Sequence, residues 1–106
     1  MTAVSNDDRK PWGVTAPDRP AGLEVILMKH MFVLPWSQFL YAEGGSEEVR
    51  LAFSTHDIVV RGTQLEPLLI DLSSQRVSLL REPVRAERFS SGAMPQITSI
   101  SIQKVG

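Results

Sequence analysis

The sequence predicts an α+β fold: a mainly antiparallel sheet of five to six strands with one covering helix over about residues 64–75. Three observations carry this. Several short runs alternate apolar and polar side chains, which is the period of a half-buried strand. Leu65, Leu68, Leu69 and Leu72 recur at i, i+3, i+4 and i+7, which is one apolar stripe on a helix. Strand-like runs precede the single helix with little chain between them, a pattern of antiparallel neighbours and not of alternating βαβ units. A small, partly closed β-barrel with one helix is the alternative, since closure also buries strand faces that one helix cannot cover.

The 106 residues fit one domain with one modest core. Residues 1–22 read as a flexible tail, with Pro11, Pro17 and Pro20 set among Asp7, Asp8, Arg9, Lys10, Asp18 and Arg19. That composition has too little apolar surface to offset the entropy of ordering. Trp12 is the exception; it reads as a residue resting on the domain surface, with a partner anchor as the sharper alternative. Residues 23–106 form the predicted domain.

Residues 23–34 are apolar on both alternating sets: Leu23, Val25, Leu27, Met31 and Val33 on one side, Ile26, Met28, Phe32 and Leu34 on the other. Leu23, Ile26, Leu27 and His30 also fall at helical spacing, but the β-branched and aromatic content favours a strand, either covered on both faces or meeting another subunit. Residues 35–43 follow, and either a helix begun by Pro35 or a strand through Phe39 and Tyr41 fits them. The strand is preferred, because Gly44 and Gly45 separate it from another run of similar length, as in a hairpin with a longer loop.

Val49, Leu51 and Phe53 form one face of the next strand. Ser54, Thr55, His56 and Asp57 read as a turn. Ile58 to Arg61 is a strand ended by Gly62. Thr63 and Glu66 have the spacing of a capping box, which Pro67 complicates by lacking a backbone N–H. Ile70 is the one apolar residue of the predicted helix off its stripe. A strand at residues 77–81, an irregular segment at 87–95 and a closing strand at 97–105 complete the order.

Composition excludes more chemistry than it suggests. With no cysteine there is no disulfide, thiolate nucleophile or iron–sulfur ligation. Two histidines far apart, without a ligand-spaced motif, leave no zinc site, and no acidic loop has calcium spacing. Neither a phosphate-binding nor a dinucleotide-binding glycine pattern occurs. No cofactor is expected. A net charge of −1 gives no overall attraction for nucleic acid or an anionic membrane. No apolar run approaches the ~20 residues of a membrane span. A cytoplasmic location is the expectation.

Two local constellations remain. His56 beside Asp57 could centre a small enzyme, but catalytic groups are brought together from separate elements, and a turn is the ordinary reading. Arg81, Arg85 and Arg88 fall at i, i+4 and i+7 if Pro83 opens a helical turn, and could bind an anion or nucleic acid. Glu82 and Glu87, interleaved with them, favour a solvated mixed-charge face. The leading expectation is a non-catalytic interaction or assembly module that forms homo-oligomers. Its interface candidates are Met28, Phe32, Trp36 and Ile70, the apolar residues that one sheet and one helix leave uncovered.

Overall fold

The computed structural model describes residues 11–14, 20–83 and 95–105. It contains two four-stranded sheets and one α-helix. The strands are β1 (Trp12–Val14), β2 (Gly22–Ile26), β3 (Met31–Pro35), β4 (Phe39–Gly44), β5 (Glu48–Phe53), β6 (His56–Thr63), β7 (Val77–Arg81) and β8 (Gln96–Lys104), with α1 (Glu66–Ser73) between β6 and β7. The first sheet has the order β1-β7-β2-β3 and the second β4-β5-β6-β8. Only β2 and β7 pair in parallel; the other pairings are antiparallel. The expected α+β class and antiparallel bias hold. Among the described residues the strands number eight and divide between two sheets, and neither sheet closes into a barrel.

The division into two sheets follows from one segment. Residues 23–34 form not a single doubly apolar strand but a hairpin of β2 and β3. The chain reverses at residues 27–30, where Leu27 N donates to His30 O at 2.7 Å. Leu23 pairs with Leu34 and Val25 with Phe32. A four-residue turn changes the parity, so odd-numbered Leu23 and Val25 share the inner face with even-numbered Phe32 and Leu34. Both alternating sets are apolar because each is inner on one strand and outer on the other.

Pro35 then ends β3, and Trp36–Gln38 forms a single 3-10 turn that passes the chain to the second sheet. Both readings of residues 35–43 thus hold in part: one short helical turn, then strand β4. Trp36 is buried, and its Nε1 donates to Val77 O at 3.1 Å. Its ring packs on Phe39 and Phe53, with centroids at 4.9 and 5.6 Å. This aromatic group joins the two sheets where the chain crosses between them.

The expected half-buried strand is β5, with Val49, Leu51 and Phe53 buried. The turn after it is shorter than expected. Only Ser54 and Thr55 lie outside the strands, and His56 and Asp57 already pair in β6 with Lys104 and Gln103 of β8. The ladder then shifts, Arg61 pairing with Ser99 and Gly62 with Ile97. This bulge lets Ile97 and Ile100 both turn inward, which strict alternation along β8 forbids. A side chain at Gly62 would overlap the carbonyl of Gln96, so the bulge requires glycine.

Helix α1 buries Leu65, Leu68 and Leu72 in the core that both sheets share, with Leu69 packed against it. The predicted stripe is therefore the buried face. The capping box is absent. Leu65 occupies the N-cap without a side-chain hydrogen bond, and Pro67 lies within the first two helical positions. Gln64, at φ 54°, places a left-handed residue between Thr63 and the helix, so Thr63 is out of capping position. Leu65 N donates instead to Ser46 O at 2.8 Å, tying the helix start to the β4–β5 turn.

Trp12, expected on the surface or on a partner, is in the core. It is 3% exposed, pairs with Leu80 through β1, and donates from Nε1 to Asp71 Oδ2 at 2.8 Å.

Candidate interaction surface

The two sheets present opposite kinds of outer face. Strand register places Tyr41, Glu43, Arg50, Ala52, Asp57, Val59, Ser101 and Gln103 together on the outer side of the second sheet. Its charges are matched. Arg50 Nη2 lies 2.7 Å from Asp57 Oδ2, with Glu43 Oε2 3.8 Å from Nη1. Arg61 Nε lies 3.2 Å from Glu48 Oε1. The hydrogen bond and the charge of Asp57 raise the Arg50 pKa. A cation matched in this way offers little to a phosphate. Tyr41 therefore has no free basic neighbour among these pairs with which to build a nucleic-acid platform.

The outer side of the first sheet is apolar. Leu79 of β7 pairs beside Glu24 of β2, which pairs beside Val33 of β3; Arg81, Ile26 and Met31 form the adjacent row. Met31 and Val33 are each 61% exposed. Glu24 and Arg81, of opposite sign, are the charged residues that the described strands place here. Sheets with one face in water normally carry polar side chains on it. Strand β3 is also the sheet's edge, and Met31–Pro35 contains no charged residue to discourage pairing with another chain.

The four interface candidates separate in the structure. Met28 lies in the β2–β3 turn and is 60% exposed, next to the apolar face. Ile70 is 69% exposed on α1, away from the leucine stripe. Phe32 turns inward and is half-buried, because the hairpin places it opposite Val25. Trp36 is a core residue and offers no surface. Met31 and Val33 were legible as a pair on one side of the apolar run, but assigning that side to solvent required recognising Lys29-His30 as the turn.

His56 and Asp57 do not meet. As successive residues of β6 they project to opposite faces. Asp57 is engaged by Arg50 outside, whereas the His56 ring packs edge-on to Phe32 at 5.8 Å, with Nδ1 2.9 Å from Thr55 Oγ1. Of the three arginines, Arg81 ends β7 on the outer face of the first sheet; Arg85 and Arg88 lie outside the described residues.

A cleft between β4 and α1, lined by Phe39, Ala42, Leu69, Leu72, Ser73 and Gln75, holds about 160 Å³. Ligand pockets occupy roughly 300–1,000 Å³, so this cleft is smaller than a typical ligand site. Among the described residues, no group of three His, Asp or Glu side chains is placed to hold a metal ion. Nor is any described helix long and apolar enough to cross a membrane.

The geometry defines a two-sheet α+β module with one polar and one apolar outer face. No protein-family model matches the chain, and neither a curated protein nor a solved structure matches it.

Proposed function

We propose that this chain is a non-catalytic assembly module that pairs with a second copy through the outer face of its first sheet. The observation that carries the reading is the apolar set Ile26, Met31, Val33 and Leu79, spread over two adjacent rows with Glu24 and Arg81 and ending at an uncharged edge strand. Water gains most by the removal of this face. A second copy is the occupant because the face is self-complementary: its apolar residues flank Glu24 of β2, and its two charges, Glu24 and Arg81, have opposite sign. A twofold axis lying midway between Glu24 and Arg81, and perpendicular to the line joining them, sets each charge opposite its counterpart on the other copy.

Size limits the affinity. A four-stranded patch of such strands measures roughly 15–20 Å on each side, or about 300 Å² in plan. Stable complexes bury about 800 Å² per partner. The association is therefore weak, and the Met28 hairpin tip would have to add to it.

The test is size-exclusion chromatography with light scattering over a concentration series. The reading expects a mass that rises from one chain towards two as concentration increases. A mass that stays at one chain up to the solubility limit removes it.

A further inference from the structure

A second surface is occupied within the chain itself. Strand β1 has three residues, pairs with β7 alone and lies at the sheet's edge. Despite this, Trp12 is among the buried residues of the common core. Its seat has three parts. The edge of β7 supplies main-chain partners opposite Trp12, Gly13 and Val14. A hole in the core takes the indole ring. The carboxylate of Asp71, on α1, accepts from the indole N–H at 2.8 Å. Gly13 fits the approach closely, since a Cβ there would come within 3.2 Å of Leu79 Cβ.

These are the parts of a strand-addition site. Main-chain bonds to a sheet edge give affinity, and a pocket for one side chain gives specificity. Seven residues separate β1 from β2, Pro17 and Pro20 among them. An identical segment supplied by another chain would make identical contacts, so exchange costs little in the contacts themselves.

We propose that the edge of β7, with the Trp12 hole and Asp71, is a binding site for an extended tryptophan-bearing segment, filled in cis by β1 and able to take β1 of a second copy in trans. The site uses the edge and inner face of the first sheet. It is therefore separate from the outer face assigned above, and each can fail without the other.

The test adds a synthetic peptide of residues 9–16 to the full-length chain carrying Trp12→Ala. The expected result is one-to-one binding, with the peptide's indole emission shifted to the blue. In wild type the cis segment competes, so the peptide binds at least about tenfold more weakly there. The same peptide with its tryptophan replaced by alanine does not bind. A folded variant that ignores the peptide overturns the proposal, as does equal binding to variant and wild type. Should Trp12→Ala not fold, Trp12→Phe takes its place. Hydrogen exchange on the unmodified chain gives an independent reading: the Gly13 and Val14 amides are expected to exchange by local opening, faster than Val25. Exchange of all three only through global unfolding contradicts a displaceable strand.

Discussion

Gln64 and Gln75 hold left-handed backbone conformations at the two ends of α1, with φ of 54° and 57°. Gln75 follows the C-cap residue Ser74, and its N–H reaches Leu72 O at 2.9 Å. That is the position where helices most often place glycine, because a Cβ is penalised there. Gln75→Gly is expected to stabilise the fold by about 0.5–1 kcal/mol, read as a higher urea midpoint with an unchanged slope. Gly62 is the reverse case. Its missing side chain lets β8 approach at the bulge, and Gly62→Ala forces that ladder apart. A loss of about 1–3 kcal/mol or more follows from overpacking, measurable by the same denaturation curve. Neither glutamine was legible from the sequence, since nothing in its type marks a left-handed position. Gly62 was legible as the end of a strand run, but not as the bulge that changes which isoleucines of β8 face inward.

Hairpin β2–β3 shows how an element can be visible and its shape hidden. Its apolar residues were plain, but alternation alone could not distinguish one strand covered twice from two strands joined by a turn. The decisive feature is the change of parity across Lys29-His30. Once it is seen, the second sheet covers what one helix could not. The leucine stripe of α1 was fully legible, because a 3.6-residue period over two turns has few competing explanations. Its start was not, because Pro67 and left-handed Gln64 displace the capping geometry that Thr63 and Glu66 suggest. At this scale the firmest energetic expectation concerns Phe53. The ring is 1% exposed and lies against both Trp36 and Phe39 where the chain crosses between sheets. Phe53→Ala is expected to cost about 3–5 kcal/mol, seen as an early thermal transition. It should also redden the emission of Trp36, because water gains access to the indole.

For the whole molecule, the account turns on the difference between the two outer faces. The second sheet carries matched charges, with Leu40 and Tyr41 exposed on its edge strand β4. The first carries Ile26, Met31, Val33 and Leu79. The sequence reached the idea of uncovered apolar surface but assigned it to a mixed set, in which Trp36 proved to be core and Phe32 to turn inward. Only Met28 and Ile70 of that set are solvent-facing, and they stand on different elements. Chemistry at His56 and Asp57 loses its basis, because adjacent strand residues diverge. The most direct measurement replaces Met31 and Val33 together by lysine and compares light-scattering mass with wild type at matched high concentration. Ser101→Lys on the polar sheet serves as the control. Wild type and Ser101→Lys are both expected to self-associate, and Met31→Lys/Val33→Lys to do so markedly less, with an unchanged circular dichroism spectrum. Self-association that persists undiminished in the double variant, with its fold intact, would contradict the account.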